Sequence, residues 1–397
     1  MALSYHLHQG RPRGWPWFYY YAATIGECDI LAVSRFFRIF AAQNNSNNCC
    51  EQSKQQQLMS KNTIGQWLKN ARVEATMQSL MPSVVAVVTA IGAEGFSWWL
   101  ALVAVAGVWC AHLACNLIDD YFDYKADMLK DRQEVVRKGI KAFTAKYPYM
   151  TDGSATLGSL RGAITVFVLL AAACGLVVGW QRDWTILLIA VAAGLLGFFY
   201  SAPPIKFCYW GMGEVVTGLI FGPLLMAGVY WAASGVMDIR VLAVSVPIGL
   251  LVVNILYTHN MIDLEGDAAS DKLTLAGVMK YGWAKLAMSW VINFTPYLCV
   301  VAAVAMGWLH WAYLAVLLVL PRSIWLYWSL VQFVKGADFE KELEHPRRML
   351  GPMPKDWEGI RKAGLDWFLI RWMTARNIVS GFCLMFIVVK IILVISY

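Results

Sequence analysis

Residues 97–127 read SWWLALVAVAGVWCAHLACNLIDDYFDYKAD, and this stretch decides the fold class. Its apolar part, residues 97–118, carries no Asp, Glu, Lys or Arg. It is long enough for a helix to cross a membrane, which takes about 20 apolar residues. Four aspartates follow within the next nine residues. The stretch therefore predicts a membrane-spanning helix whose end carries an acidic cluster.

The composition of the whole chain agrees with that interpretation. Of its 397 residues, 59% are hydrophobic and only 15% are charged, whereas soluble domains carry about 25% charged residues. So few charges cannot cover a water-facing surface, which excludes an ordinary soluble enzyme and a disordered chain. The sequence contains no basic run with interleaved aromatic residues, so we expect no nucleic-acid partner.

Nine apolar runs predict an all-α membrane protein, a bundle of nine transmembrane helices in a lipid bilayer. The runs cover residues 79–95, 97–118, 162–180, 184–204, 213–235, 239–262, 284–306, 308–332 and 375–396. Most Lys and Arg side chains outside the runs fall in alternate connections, and cytoplasmic loops are enriched in these residues. We therefore expect the amino end of the first helix on the cytoplasmic side of the cell (inner) membrane.

The first 58 residues do not fit this helical pattern. Residues 15–26 are apolar but too short to span a membrane, and an Asn- and Gln-rich tract, residues 43–57, follows them. We interpret 1–58 as a dispensable extension, or as non-native sequence if translation starts at Met59; a signal peptide is a further alternative. The remainder, 59–397, is predicted to be one nine-helix domain. Its long cytoplasmic connections are 128–160 and 336–366.

A second acidic cluster closes the sixth apolar run, where residues 259–272 read HNMIDLEGDAASDK. Side chains four apart lie on one face of a helix, so Asp263 and Asp267 share a side. The same rule gathers several residues of the first cluster on one face, with Asp119 beside them: Asn116, Asp120, Asp123 and Asp127. Like charges four apart destabilise a bare helix, so the pattern favours cations between the carboxylates.

The ligand atoms in both clusters are oxygens, which favours Mg²⁺ over zinc or copper. Mg²⁺ usually takes one or two carboxylates and shares its other positions with water and substrate phosphates. In the predicted topology both clusters face the cytoplasm, and together they predict a Mg²⁺-dependent diphosphate site. Two alternatives stay open: solvated helix ends without a ligand, and a cation or metabolite transporter whose acids line a pathway.

The two clusters, Asp119-Asp120-x-x-Asp123-x-x-x-Asp127 and Asp263-x-x-x-Asp267, resemble the motifs of the UbiA superfamily of intramembrane prenyltransferases. Asp119 stands where that family more often has Asn. The segments YSAPPIK, 200–206, and DKLTLA, 271–276, are similar to the 1,4-dihydroxy-2-naphthoate prenyltransferases of menaquinone synthesis. The likeness covers residues 65–395. It departs after the first cluster, where about thirty residues, with basic side chains that include Arg132, Arg137, Lys138, Lys141 and Lys146, replace a short loop.

The resemblance implies a reaction. A polyprenyl group would pass from an allylic polyprenyl diphosphate to an aromatic acceptor, with Mg²⁺ as cofactor and without a redox cofactor. The favoured acceptor is 1,4-dihydroxy-2-naphthoate, which would lose CO₂ and give demethylmenaquinone. Other acceptors of the superfamily stay open as alternatives: 4-hydroxybenzoate, homogentisate, a porphyrin or a lipid glyceryl phosphate.

The resemblance also implies roles for individual residues, with Asp120 and Asp263 expected to be essential for catalysis. The implied metal ligands are Asp119, Asp120, Asp123, Asp127, Asp263 and Asp267. The residues implied to contact diphosphate are Arg72, Lys206, Lys272, Asn116 and Asn260. Aromatic faces stabilise a nearby cation, which favours Tyr200 and Tyr257 beside the carbocation. The alternative for these tyrosines is a place in the aromatic belt at the membrane interface.

Overall fold

The computed structural model describes residues 63–128, 147–264, 267, 272–336 and 348–396, apart from the side chains of residues 63, 127 and 128. The extension 1–58, residues 129–146 and the Asp127 side chain therefore lie outside the description. Every regular element among the described residues is helical, which confirms the all-α fold class. The contacts discussed below lie within the unit Trp67–Tyr397.

Fourteen α-helices are numbered here in chain order. They are α1 (Thr63–Asn70), α2 (Met77–Ala90), α3 (Trp98–Met128), α4 (Pro148–Thr151), α5 (Leu157–Gln181), α6 (Ile186–Phe198), α7 (Gly213–Leu219), α8 (Leu225–Ser234), α9 (Leu242–Ile262), α10 (Leu275–Val278), α11 (Gly282–Ala305), α12 (Leu320–Lys335), α13 (Trp357–Lys362) and α14 (Asp366–Ser396). A π-helical turn, Ile220–Leu224, joins α7 to α8. Short 3₁₀ segments lie at Val73–Thr76, Phe207–Tyr209, Ile239–Val241, Trp311–Val319 and Arg348–Leu350.

Within the described part of the chain, eight helical stretches are long and apolar enough to cross a membrane. The ninth predicted span, 184–204, contains the shorter apolar helix α6. Large apolar side chains point outward from these helices, as Leu169 and Leu176 do on α5. Lipid tails solvate such surfaces as well as a protein core would. The chain is an integral membrane protein, and its helix count agrees with the prediction to within one short helix.

The helices end at positions that apolarity alone does not predict. The predicted run 97–118 continues through the first acidic cluster, because a helix carries its polar last turns beyond the hydrocarbon layer. In the same way α14 starts at Asp366, nine residues before the predicted 375. By contrast, α6 ends at Phe198 instead of 204, since residues that precede proline disfavour the helical conformation and Ala202 precedes Pro203.

The most buried span contains α9, and two glycines let it approach its neighbour closely. A Cβ atom added at Gly222 would lie 2.5 Å from the Cα atom of Gly249. Small residues at such a crossing allow helix backbones to meet in a membrane. The contact packs the π turn against α9, and α7 and α9 also contact each other. This packing sets α7 beside the helix that ends in the second acidic cluster.

Candidate active site

Asp120 is fully buried, and both of its carboxylate oxygens have partners. Oδ1 lies 3.1 Å from Nη2 of Arg72, and Oδ2 accepts a hydrogen bond of 2.8 Å from the Tyr149 hydroxyl. An ionised carboxylate is costly to bury unless a cation and hydrogen-bond donors compensate it. Burial, followed by the charge of Asp120, raises the pKa of Tyr149 well above its usual value, so the phenol stays a donor.

Arg72 is held at this position by main-chain contacts. Its φ of +57° is in the left-handed region, which costs a non-glycine residue about 1 kcal/mol. Its Nη2 donates to the Asn116 carbonyl at 2.9 Å, and Asn116 Nδ2 returns a bond of 2.9 Å to the Ala71 carbonyl. These reciprocal bonds fix the segment before α2 against α3. Two residues predicted to contact diphosphate, Arg72 and Asn116, therefore touch each other.

Asp123 joins the two acidic clusters, because its Oδ2 lies 2.7 Å from Nζ of Lys272. Both side chains are largely buried, with 9% and 15% of their surface exposed. Burial alone would lower the pKa of Lys272, but the carboxylates of Asp123 and Asp119 raise it well above its usual value. Lys272 is therefore a cation at neutral pH.

Tyr209 lies between the two predicted lysines of the site. Its ring centroid is 5.3 Å from Nζ of Lys206 and 5.6 Å from Nζ of Lys272. Its hydroxyl points to Oδ1 of Asp123 at 3.4 Å. Burial, and next the charge of Asp123, raise the pKa of Tyr209, so this phenol is neutral. Both lysines therefore lie against the Tyr209 ring, beside the first acidic cluster.

The second acidic cluster starts where α9 ends. Asp263 and Asp267 are buried, with 3% and 5% of their surface exposed. The Asp267 amide donates to the Asp263 carbonyl at 3.0 Å, and the Lys272 amide donates to the Asp267 carbonyl at 3.1 Å. Lys272, which is hydrogen-bonded to Asp267, in turn contacts Asp123. The chain thus brings the end of the second cluster to the first.

The two predicted tyrosines occupy different surroundings. Tyr200 lies against α7, where a Cβ atom added at Gly213 would be 3.2 Å from the Tyr200 ring. Tyr257 is fully buried in the helical core, and its hydroxyl donates to the Lys285 carbonyl at 2.9 Å. The role of each beside a carbocation stays a prediction.

Three polar residues of the site were missed by sequence reasoning: Tyr149, Ser201 and Glu214. The Ser201 hydroxyl donates to Oδ1 of Asp119. Glu214 accepts a bond of 2.7 Å from Nδ2 of Asn260. Each is a single polar residue with a partner far away in the chain. For Ser201 and Glu214 a signal existed, since the segment 200–206 and its continuation GMGE, 211–214, both carry the resemblance.

The oxygen donors at this end of the bundle suit Mg²⁺ shared with a phosphorylated ligand. In the described residues, no three His, Cys, Asp or Glu side chains are grouped closely enough to hold a metal by themselves. Mg²⁺ does not need such a cage, because it takes few carboxylates and completes its octahedron with water and phosphate oxygens. The carboxylates of Asp119, Asp120 and Asp123 fit that chemistry.

Apolar spans and a buried acid–base cluster at one end of a helical bundle define a helical membrane protein with a buried polar site. The chain belongs to the UbiA prenyltransferase family, whose model matches residues 79–342.

Individual relatives agree with this assignment. A 1,4-dihydroxy-2-naphthoate octaprenyltransferase of Mycobacterium tuberculosis is 29% identical over 260 residues, which cover 61% of this chain and 83% of that protein. The enzyme of the same name from Bacillus subtilis is 25% identical over 237 residues, 56% of this chain and 66% of that protein. A solved structure of digeranylgeranylglyceryl phosphate synthase superposes with a TM-score of 0.53 at 16% identity, covering 82% of this chain and 97% of that one. At that identity the superposition shows the fold alone.

Proposed function

We propose that this protein transfers a polyprenyl group from an allylic polyprenyl diphosphate to 1,4-dihydroxy-2-naphthoate, with Mg²⁺ as cofactor. The observation that carries the proposal is the 2.7 Å contact between Lys272 and Asp123, which lie 149 residues apart in the chain. This contact brings the two acidic clusters together, beside basic side chains that can bind phosphate. The acceptor is favoured by the two relatives named as 1,4-dihydroxy-2-naphthoate octaprenyltransferases, at 29% and 25% identity.

In the first step the bond between the allylic carbon and the diphosphate oxygen breaks, and its electron pair leaves with the diphosphate. Arg72 and Lys272 lie where they can stabilise the negative charge that develops on the leaving group. Both now contact carboxylates, and we expect each to exchange a carboxylate for a phosphate oxygen when diphosphate binds. Lys206, Asn116 and Asn260 would add further contacts.

Bound Mg²⁺ would supply further neutralisation of the diphosphate charge. We assign Asp119, Asp120, Asp123 and Asp127 to one ion and Asp263 and Asp267 to the other. The burial of Asp120, Asp263 and Asp267 keeps bulk water away from them. The same exclusion would protect the carbocation from hydrolysis.

In the second step an electron pair of the acceptor ring forms a bond to the allylic carbon. The bond forms at the ring carbon that carries the carboxylate, and loss of that carboxylate as CO₂ returns its bonding pair to the ring. The step therefore balances without an oxidant and gives the hydroquinone form of demethylmenaquinone, whose oxidation to the quinone is a separate reaction. The neutral ring of Tyr200 is available to stabilise the cation through its π face. We place the site on the cytoplasmic side of the cell membrane, because the basic connections lie on that side in the predicted topology.

The test is a reconstitution with purified protein in lipid nanodiscs, Mg²⁺, a polyprenyl diphosphate and a panel of aromatic acceptors. Pyrophosphate release and the prenylated product are measured together, by a coupled assay and by mass spectrometry. We expect product and CO₂ with 1,4-dihydroxy-2-naphthoate and loss of turnover when EDTA is added. Turnover with another acceptor alone would overturn the acceptor assignment, and no pyrophosphate release with any acceptor would overturn the reaction.

A further inference from the structure

Glu214 is a buried carboxylate that the proposed reaction does not yet use. It lies in the first turn of α7, and only 1% of its surface is exposed. Burial of a carboxylate is unfavourable unless hydrogen-bond donors compensate it. The donors that Glu214 contacts therefore indicate why the residue is placed there.

One oxygen of Glu214 makes both of its contacts to the second acidic cluster. Oε1 accepts a bond of 2.7 Å from Nδ2 of Asn260 and one of 2.9 Å from the amide of Leu275. The other oxygen, Oε2, accepts no hydrogen bond from residues that the structure describes. The contacts thus depend on a single acceptor atom and not on both carboxylate oxygens.

The two donors flank the second acidic cluster on either side. Asn260 lies three residues before Asp263, in the last turn of α9, and Leu275 opens α10 three residues after Lys272. A single oxygen atom therefore ties both ends of the segment 260–275 to α7. Lys272, inside that segment, is the residue that reaches Asp123.

The loop that leads into α7 is hydrogen-bonded to the segment 260–275 as well. The Gly211 amide donates to the Leu273 carbonyl at 2.6 Å. Gly211 has a φ of +74°, and a Cβ atom added there would lie 2.6 Å from Cγ2 of Val278. Only glycine satisfies both the left-handed backbone and this close approach. These contacts fix the position of Glu214 beside residues 273–278.

We propose that Glu214 is a positioning residue for the diphosphate site. Its Oε1 atom fixes Asn260 and, through Leu275, the segment that presents Lys272 to the first acidic cluster. This inference rests on the proposed function, since it assigns Asn260 and Lys272 to the diphosphate of the prenyl donor. It predicts that the hydrogen-bond acceptor at Oε1, and not the negative charge, is what the site needs.

Two substitutions separate those possibilities. In Glu214→Gln the amide oxygen can still accept both bonds, and the amide nitrogen takes the place of Oε2. In Glu214→Ala both donors lose their acceptor. We expect Glu214→Ala to raise the KM for geranylgeranyl diphosphate about tenfold, the effect of losing a buried bond to a charged group, and Glu214→Gln to stay within about threefold of wild type. The KM for the aromatic acceptor should change little in either variant.

The matched control is Asn293→Ala, on α11, which also removes two buried hydrogen bonds: one accepted from Asn254, and one of 2.8 Å that Asn293 Nδ2 donates to the Ser323 carbonyl. Asn254, on α9, donates to Oδ1 of Asn293 at 3.0 Å, away from the acidic cluster. Asn293→Ala should lower the thermal stability without raising the KM for the diphosphate. In a double-mutant cycle, Glu214→Ala should raise the KM of Lys272→Ala by a smaller factor than it raises that of wild type, because only the positioning of Asn260 is then left to lose.

A second readout does not depend on activity. Hydrogen exchange should show loss of protection at the Leu275 amide in Glu214→Ala and retention in Glu214→Gln. Equal KM values for Glu214→Ala and Asn293→Ala would overturn the inference, and so would a Glu214→Gln variant as impaired as Glu214→Ala. If wild-type protein releases no pyrophosphate while the exchange pattern follows the prediction, the proposed reaction fails and the structural tie stands.

Discussion

The two ends of the helical bundle use arginine in different ways. At the end that carries the acidic clusters, Arg72 contacts the carboxylates of Asp119 and Asp120 at 3.8 and 3.1 Å. At the start of α3, about 30 Å away by the rise of that helix, Arg182 contacts main-chain carbonyls instead. It donates to Gly95, Ala232 and Ala233 at 2.7, 2.9 and 3.0 Å.

Arg72 contacts carboxylates that a ligand could replace, whereas Arg182 has a structural role at the end of a helix. The last carbonyls of α8 have no partner within the helix, and Arg182 satisfies two of them permanently. A carboxylate beside an arginine is different, since phosphate oxygens can take its place. The Arg182 end also holds an ion pair, Asp238 to Arg240 at 2.6 Å, beside a cavity of about 460 Å³. Arg240 of that pair is exposed and Asp238 is partly exposed, whereas Asp120 is fully buried.

The largest difference in turnover is expected between Asp120→Ala and Asp238→Ala. The first removes a carboxylate assigned to Mg²⁺, which is also the nearest carboxylate to Arg72 and the acceptor for Tyr149, so turnover should fall about a thousandfold or more. The second breaks an ion pair that solvent screens and that the proposed reaction does not use, and turnover should stay within about twofold. Asp263→Ala should behave as Asp120→Ala does. Comparable activity for the Asp120 and Asp238 variants would abolish the distinction between the two ends.

We expect Arg72→Ala to lower turnover and Arg182→Ala to lower stability. Arg72→Ala should lower turnover about a hundredfold, by loss of one charge-assisted contact to the leaving group. Arg182→Ala should lower the free energy of unfolding by about 2 kcal/mol, because helix carbonyls lose their donor. Turnover per folded molecule and thermal unfolding in detergent measure the two effects. A large loss of turnover in folded Arg182→Ala would contradict the structural role.

Tyr149→Phe should have a smaller effect. It removes one hydrogen bond to Asp120 and keeps the ring that packs against Trp67. Loss of one bond to a buried charge predicts about a tenfold decrease in kcat/KM. Tyr230→Phe, beside the cavity at the opposite end, is the control and should resemble wild type. Equal kinetics for the two variants would show that Tyr149 does not support Asp120.

The smallest effect is expected from deletion of residues 1–58, which we propose to be dispensable. The family match starts at residue 79 and the predicted domain at 59. Transfer activity and membrane insertion of the shortened chain should therefore stay within about twofold of the full chain. Complete loss of activity would show that the extension contributes to the enzyme.

Local sequence patterns were sufficient to predict much of this architecture. Apolarity located the spans, and helical spacing placed Asp120 and Asp123 on one face, where each now contacts a predicted base. The roles of the predicted site residues stay predictions. What could not be predicted depends on contacts between distant segments. Glu214 and Tyr149 show no local pattern, because their partners, Asn260 and Asp120, lie 46 and 29 residues away.

The central claim is that two acidic clusters far apart in the chain form one site, and a zero-length cross-link tests it most directly. A membrane-permeant carbodiimide joins a lysine amine to a carboxylate only when the two are in contact. In the native protein we expect an isopeptide bond between Lys272 and Asp123, detected by mass spectrometry and absent in Lys272→Arg. Modification of the partly exposed Asp238 without any Lys272–Asp123 product would contradict the claim.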